Sequence, residues 1–456
     1  MKNIDFKKIA SYSKAGPRYT SYPTAVEFNT TFSPKQYSSK LQYNDTLEHP
    51  LSIYVHLPFC KDACYFCACN VIYTHNDAKK DRYITYLKKE LDLLKNALNV
   101  NKSVVQLHFG GGTPTYFSAN QLKQVIDLIR GTFTNFADDA EISCEIDPRF
   151  FNKDQMKVLK DGGFNRLSFG LQDFDDGVQK AVNRIQSFEL VQDCVKLARD
   201  FGINSINFDL IYGLPLQNTA SFEQTLKKTL ALNPDRLAVF NYAHVPWVKA
   251  TMARIKEADL PDPIIKLEMF KFILDFLEQN GFYAIGMDHF AKKTDSLYDA
   301  AQNGTLRRNF QGYTTKGFSQ TIGIGVTSIG EGYDYYAQNF KDLEKYEQAI
   351  DSGMLPLERG IALDFEDILR KEIIMQLMNN FKLNFSDIEN KFDINFCDHF
   401  EPELSALGAF VDDDILEISD SSIIVNETGK FVIRNVAMVF DTRSAQNNRT
   451  KFSKTI

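Results

Sequence analysis

Leu51-Ser52-Ile53-Tyr54-Val55-His56-Leu57-Pro58-Phe59-Cys60-Lys61-Asp62-Ala63-Cys64-Tyr65-Phe66-Cys67-Ala68-Cys69-Asn70 is the stretch from which the rest of the chain is read. Residues 51–57 form a short apolar run that Pro58 stops, the pattern of a buried strand followed by a loop. Four of the seven cysteines then fall within ten positions. The first three have three and then two residues between them, with Phe66 just before the third. Cysteines at i, i+4 and i+7 could line one buried face of a helix, but Pro58 and the adjacent Tyr65 and Phe66 suit a loop better. A structural zinc site would pair two Cys-x-x-Cys knuckles, and the second pair is absent. Disulfides belong to oxidising compartments.

The chain around this stretch is long enough, at 456 residues, for two or more structural units. It is 44% hydrophobic and 24% charged, an ordinary soluble composition. A formal net charge of −7 argues against broad binding to nucleic acid or an anionic membrane. Met1 to Lys14 carries charges but no apolar core segment, so no signal peptide is expected. No apolar run approaches transmembrane length. Cys144, Cys194 and Cys397 are scattered and read as buried free thiols. These features favour a reduced cytoplasm.

From Leu51 a rhythm begins. Strand-like runs at 51–57, 104–109, 140–146, 165–171, 205–211 and 236–242 alternate with helix-like segments at 79–98, 118–132, 152–161, 187–201 and 219–231. Alternation of this kind implies βαβ units and a parallel sheet. The strand runs read as near-continuous apolar segments covered on both faces. Six units suit an open, partial barrel rather than a complete eight-fold one. A helix near 263–280 and a strand near 282–287 follow, and 288–340 reads as irregular. The expected organisation is an N-terminal arm over 1–50, an α/β catalytic domain over 51–355 and a small, mainly helical, winged-helix-like domain over 356–456. The last has helices near 364–379 and 385–391 and a hairpin at 415–426; a packing or lid role is favoured over DNA binding.

In such architectures ligands gather beyond the C-terminal ends of the strands. The cysteine loop follows the first strand and Gly110-Gly111-Gly112-Thr113-Pro114-Thr115 the second. Glu145 and Asp147 end the third and Gln172 and Asp173 the fourth. Asp209 lies late in the fifth, and Asn241-Tyr242-Ala243-His244 ends the sixth. The glycines suit close approach by a ligand or a tight turn, and no Lys-Ser/Thr follows them as in a P-loop. Glu145, Asp209 and Gln172 can bond ribose hydroxyls or amino groups, or be ordinary strand-end polar residues. His56 reads equally as a hydrogen-bonded core histidine. Pattern alone does not single out Arg184.

The cysteine spacing resembles that of the radical S-adenosylmethionine (SAM) superfamily, in which three thiolates hold a 4Fe–4S cluster and leave one iron without a protein ligand. Four thiolates would complete such a cluster. The wider set is more specific. Added to the cysteines are His108-Phe109-Gly110-Gly111-Gly112-Thr113-Pro114-Thr115, Glu145-Ile146-Asp147-Pro148-Arg149, Gly170-Leu171-Gln172-Asp173-Phe174 and Asn241-Tyr242-Ala243-His244. Arg308-Asn309-Phe310-Gln311-Gly312-Tyr313, Pro17-Arg18-Tyr19-Thr20-Ser21-Tyr22-Pro23 and Phe452-Ser453 complete it. Together they closely resemble the bacterial oxygen-independent coproporphyrinogen III dehydrogenase family, essentially end to end. That resemblance implies a partial, six-unit TIM-like radical SAM barrel. It implies oxidative decarboxylation of two propionates of coproporphyrinogen III to vinyl groups, giving protoporphyrinogen IX for haem synthesis, by a 5′-deoxyadenosyl radical. It implies one 4Fe–4S cluster and two SAM molecules. Cys60, Cys64 and Cys67 would be the cluster ligands and Cys69 a non-ligand. Tyr54, Gly111, Glu145 and Ile329 would contact the iron-bound SAM. Phe66, Gly112, Thr113, Gln172, Arg184, Asp209 and Ala243 would contact the second.

The substrate carries four propionates, so Arg18, Arg307 and Arg308 are candidate partners. A reducing electron-donor protein and an electron acceptor are also implied, and a monomer is expected. The nearest rival is the haem chaperone of the same superfamily, a binding protein. Such relatives lack the fourth cysteine and the arm and carry His-Asn-x-x-Tyr-Trp. Here His75-Asn76 is followed by Asp77-Ala78-Lys79-Lys80, and the only tryptophan is Trp247. A zinc-stabilised DNA-binding protein is a more distant rival, opposed by the acidic balance and the long α/β region.

Overall fold

The structure is a computed structural model that describes residues 6–443 and Phe452. Ser453 and residues 1–5 lie outside the described residues. The chain forms two compact units, neither of them a single run of sequence. One holds Phe28–Pro261 and Phe318–Ala362; the other holds the N-terminal segment through Glu27, Asp262–Gly317 and the chain from Leu363 onward. This partition cuts across boundaries at 50 and 355.

Six parallel strands build the larger unit: β1 (Leu51–Leu57), β2 (Val104–Gly111), β3 (Phe136–Ile146), β4 (Arg166–Gln172), β5 (Ser205–Tyr212) and β6 (Arg236–Asn241). They are hydrogen-bonded side by side in chain order. These are the six βα units expected of the partial barrel. Helices over Asp77–Lys95, Ala119–Thr132, Lys153–Asp161, Phe188–Asp200 and Thr219–Ala231 separate them. Each helix starts where a short polar side chain accepts a first-turn amide: Asn76, Ser118, Asn152, Ser187 and Asn218. One such cap stabilises a helix by about 1 kcal/mol, which is why these five boundaries are sharp.

The strands are not apolar on both faces. In β5, Ile206, Phe208, Leu210 and Tyr212 are buried, while Ser205, Asn207, Asp209 and Ile211 on the other face are only partly so. β4 alternates in the same way. A period of two puts one set under the helices and the polar set inside the barrel, so the reading of both-face apolar strands is corrected here.

The region read as irregular also contains regular structure. β7 (Gln320–Ile324) lies parallel to β1 on the side away from β2. β8 (Ile329–Glu331), β9 (Tyr335–Asn339) and β10 (Leu357–Ala362) extend the sheet antiparallel. Runs of three to six residues interrupted by Gly323, Gly325 and Gly330 are too short to display a period. Gly323 is required there: a Cβ on it would stand 2.7 Å from the carbonyl carbon of Ile329. Residues 28–50 belong to this unit, with a helix over Pro34–Asp45 whose capping box joins Ser33 and Gln36. Its Tyr37 is buried with its ring 5.6 Å from that of Tyr335.

The smaller unit has its own core. Ile9, Tyr19 and Tyr22 are fully buried together with side chains of the helices Phe365–Asn380, Phe385–Phe392 and Glu401–Asp412. Leu267 and Met287 pack on the same cluster, which draws 262–317 into this unit. Tyr19 donates to Asp441 at 2.7 Å, and Arg434 Nε donates to the Pro17 carbonyl at 2.8 Å. The start of the expected arm thus contributes side chains to this core. Lys382–Asn384, Ser422–Val425 and Leu416–Ile418 make a three-stranded sheet beside the helices, the winged-helix-like arrangement.

Candidate active site

The cysteine loop leaves β1 at Pro58 and is closed at its base. Phe59–Cys60 pairs in parallel with Ile72–Tyr73, and the Thr74 amide donates to the Cys60 carbonyl at 3.1 Å. Its middle is tied down by Asn183 Nδ2, 2.7 Å from the Ala63 carbonyl, and by the Tyr65 amide, 2.9 Å from the Val182 carbonyl. The glycine run supports the near side. The Gly112 amide donates to the Leu57 carbonyl at 2.9 Å and that of Thr113 to Phe59 at 3.0 Å. A Cβ on Gly112 would stand 2.6 Å from the Pro58 carbonyl oxygen. Gly111 has φ +112°, and a Cβ there would meet the His56 ring at 2.6 Å. Much of the room these glycines leave is thus filled by the protein itself.

A cavity of about 280 Å³ opens above this loop. Cys60, Cys64, Cys67 and Cys69 line it, as does Phe66. Gly111, Gly112 and Thr113 come from the end of β2, and Glu145, Gln172, Arg184 and Asp209 also line it. Tyr54, Ala243 and Ile329 are not among its walls. Tyr54 sits just behind, its hydroxyl 3.0 Å from His56 Nδ1. Ile329 lies against Gly323, the lateral partner of Tyr54. Ala243 follows the end of β6.

The charges around the sulfurs are organised. Arg149 Nη2 and Arg184 Nη1 both donate to Cys64 Sγ at 3.6 Å. The same two guanidiniums are held by Asp147 Oδ2, at 2.7 and 3.0 Å. Burial opposes the charge on Asp147, but Arg184 and Arg149 outweigh it and hold the carboxyl below its usual range. Burial pushes the Cys60 thiol up to about 12, although Thr113 Oγ1 lies 3.3 Å from its sulfur. A hydrogen bond from Cys69 holds the Cys67 thiol down to about 7, while the Cys69 thiol is raised. Among the described residues no three His, Cys, Asp or Glu side chains are grouped tightly enough to share one ion. The four cysteine sulfurs instead share the wall of a cavity with room for a larger group. Their soft donor set and the two flanking cations fit an anionic iron–sulfur cluster.

Two carboxylates face the same space. Glu145 is opposed by burial, but His108 and the Gly111 amide prevail, so its carboxyl is held low. Asp209 accepts from Ser168 Oγ at 2.9 Å and Asn207 Nδ2 at 2.8 Å, yet burial pushes it up to about 6. Gln172 has φ +65° beside a register shift between Gly170 and Gln172. That irregularity re-aims its side chain at the strand end. Asp147, Arg149 and Ser168 also line the cavity and were not singled out as site residues. The signal for the first two was present in Asp147-Pro148-Arg149, opposite charges two apart at a strand end.

Comparison with known proteins agrees with this geometry. The radical SAM superfamily profile matches residues 54–229, and that of the HemN C-terminal domain matches residues 363–432. The oxygen-independent coproporphyrinogen III oxidase of Helicobacter pylori (strain J99) is 58% identical over 458 residues, covering 100% of both chains. The enzyme of that name from Escherichia coli (strain K12) is 44% identical over 453 residues, covering 99% of this chain and 98% of its own. This chain belongs to the oxygen-independent coproporphyrinogen III oxidase family. The solved structure of coproporphyrinogen III oxidase (HemN) from Escherichia coli, a radical SAM enzyme, superposes with a TM-score of 0.91 at 44% identity. That match covers 96% of this chain and 99% of the other.

For this family of oxidases, cations that could meet a tetracarboxylate matter. Arg18, Arg307 and Arg308 all belong to the smaller unit. Arg18 is already paired with Asp288 at 2.9 Å. Arg307 donates to the Leu306 carbonyl at 3.1 Å, and its charge is felt by Glu372. Arg308 lies 5.0 Å from the Tyr313 ring centroid and, among the described residues, makes no ion pair.

Proposed function

We propose that the cavity is the radical-generating site of this oxidase, with Cys60, Cys64 and Cys67 as cluster ligands. The observation that carries the reading is that four cysteines, Cys60, Cys64 and Cys67 among them, two arginines and the strand-end residues Glu145, Gln172 and Asp209 share one cavity. The chain catalyses oxidative decarboxylation of two propionate side chains of coproporphyrinogen III to vinyl groups, giving protoporphyrinogen IX in haem biosynthesis. Its cofactors are one 4Fe–4S cluster and two SAM molecules. When bound, they supply a 5′-deoxyadenosyl radical that takes a hydrogen from the propionate β-carbon. Each propionate loses that hydrogen atom, carbon dioxide and one electron, so an electron acceptor is required.

The protein's own residues hold and orient. Arg149 and Arg184 offset the negative charge of the Cys64 thiolate. Glu145, with Tyr54, Gly111 and Ile329, serves the iron-bound SAM, and its low carboxyl suits a cationic amino or sulfonium group. Phe66, Gly112, Thr113, Gln172, Arg184, Asp209 and Ala243 serve the second. Cys69 acts through its hydrogen bond to Cys67 rather than as a ligand. Arg308 is the favoured cation for a substrate propionate, because its half-buried guanidinium makes no ion pair among the described residues. Along the chain, residues 1–50, 51–355 and 356–456 serve as arm, catalytic segment and C-terminal segment.

The enzyme works in the cytoplasm as a monomer, with a reducing electron-donor protein and without nucleic acid or membrane as partner. A net charge of −7 and seven free cysteines support this reading. Among the described residues no helix is long and apolar enough to cross a membrane.

The test is an anaerobic assay with reconstituted protein, SAM, a reductant, an electron acceptor and coproporphyrinogen III. Protoporphyrinogen IX is the expected product. Stable haem binding with no product, despite an intact cluster, would favour the chaperone and sink the oxidase reading. Cys69→Ser keeps a 4Fe–4S cluster and Cys64→Ser loses it; loss in both would overturn the three-ligand assignment.

A further inference from the structure

β2 places His108 between two residues of the proposed SAM site, and the chemistry so far gives it no task. Its ring is nearly parallel to that of Tyr54, with centroids 5.9 Å apart and planes 14° from parallel. Its Nε2 is 3.2 Å from Glu145 Oε1, and its Nδ1 is 2.6 Å from Ser143 Oγ. The sheet register explains the meeting, because Tyr54, His108 and Ser143 are lateral partners on β1, β2 and β3. The His108 side chain is 12% exposed against 43% for Glu145, so the ring is fixed beneath a carboxylate that reaches into the cavity.

The partners set the tautomer. Glu145 is held ionised and can only accept, so the ring proton sits on Nε2. In the neutral ring Nδ1 then accepts from the Ser143 hydroxyl. Glu145 Oε2 takes the Gly111 amide at 3.2 Å. Each carboxylate oxygen is thus anchored once and keeps a lone pair for the cavity. Gly110 belongs to the same device: a Cβ on it would stand 2.8 Å from Glu145 Oε1 and 3.0 Å from His108 Nε2.

We propose that His108 is a positioning residue for the iron-bound SAM, fixing the Glu145 carboxylate and the Tyr54 ring through a Ser143–His108–Glu145 chain. The proposal rests on the reading of the cavity given above. A carboxylate at a half-exposed strand end samples several rotamers. A donor locked from behind removes that freedom before the ligand arrives, which is how an outer hydrogen bond raises the affinity of an inner group.

His108→Phe keeps a ring against Tyr54 and loses the donor. His108→Gln returns an amide nitrogen close to the place of the imidazole Nε2. Both are reconstituted anaerobically, assayed for iron and sulfide, reduced and titrated with SAM. The paramagnetic resonance of the reduced cluster reports only the SAM bound to it. With wild-type iron content in both, the SAM dissociation constant should rise at least about tenfold in His108→Phe and stay within about threefold of wild type in His108→Gln. Unchanged SAM binding by His108→Phe overturns the proposal, as does equal loss in the two variants, which would make ring shape the cause. Should a ring variant lose its cluster, Ser143→Ala decides: a rise of about three- to tenfold supports the chain and no change overturns it. A wild-type protein that takes up no cluster, or whose spectrum ignores SAM, defeats the reading of the cavity before any variant is compared, and the proposal falls with it.

Discussion

Asp147→Asn should weaken the fold and the hold on the cluster together. Asp147 is 6% exposed, and the side chains of Arg149 and Arg184 are 18% and 9% exposed. Its Oδ2 accepts from both guanidiniums, and its Oδ1 accepts from the Arg149 amide and Nε at 3.1 and 3.0 Å. Asparagine keeps the volume, but it removes the charge and turns an NH₂ toward donors. Breaking a buried pair from one side costs about 3–5 kcal/mol. One amide oxygen retains part of the network, so about 3 kcal/mol is expected, or a fall of roughly 6–12 °C in melting temperature for a unit of this size. The freed guanidiniums would no longer be fixed 3.6 Å from Cys64 Sγ, and iron per chain should fall after desalting. The carboxyl is held low in the folded protein, so its contribution is complete above about pH 4, the unfolded value. It is lost as pH falls through the lower folded value. Wild type and variant should therefore differ fully at pH 7 and converge in acid. A melting temperature within about 2 °C of wild type at pH 7, with iron content unchanged, would refute this account of the network.

Glu90 offers a pH test of the opposite sign. Burial lifts its carboxyl to about 7, although Tyr346, the Gly325 amide and Asn339 all donate to it. Its stabilising contribution is complete below about pH 4.3 and lost as pH rises through about 7, a change on the order of 3 kcal/mol; denaturant unfolding of Glu90→Gln at pH 5.5 and 8.5 should lack that slope, and parallel curves would contradict it. Gly323→Ala should drive β8 away from β7 at Ile329, raising the SAM dissociation constant about tenfold with iron content kept, for a strain of about 1–3 kcal/mol. Arg308→Gln should raise the KM for coproporphyrinogen III roughly 10–100-fold, the size of a charged hydrogen bond, with Arg308→Lys falling between it and wild type; SAM cleavage without substrate should not change, and an unaltered KM would remove Arg308 from the substrate site.

Much of the larger unit was legible because its signals are local. Seven residues stopped by proline identified β1 over its observed span, and five capped helices gave boundaries good to a few residues. The cysteine loop declared itself by spacing. What stayed hidden depends on partners distant in sequence. β7 to β10 are short and glycine-broken, and they make sense only once β7 lies against β1. Tyr19 and Tyr22 gave no sign of burial in the sequence because most of the core that buries them is supplied from beyond residue 363. Arg184 could not be found from its surroundings in the chain, since what defines it is Asp147 and Cys64. The inner polar face of β4 and β5 was visible as alternation and was smoothed over by expecting strands apolar on both faces.

The interior place of β1 has a consequence for assembly. One flank of β1 is completed by β2 soon after it is made, but the other waits for Gln320–Ile324. Roughly 260 residues must be added in between, which at about 5–20 residues per second takes tens of seconds. Throughout that interval the strand that carries the cysteine loop is an open edge on the ribosome, and Ile324 has not yet come to rest against Val55. Iron and sulfide arriving during synthesis would meet thiols on an unfinished scaffold. The strand order thus completes the scaffold beneath the cysteines only when Gln320–Ile324 has paired with β1.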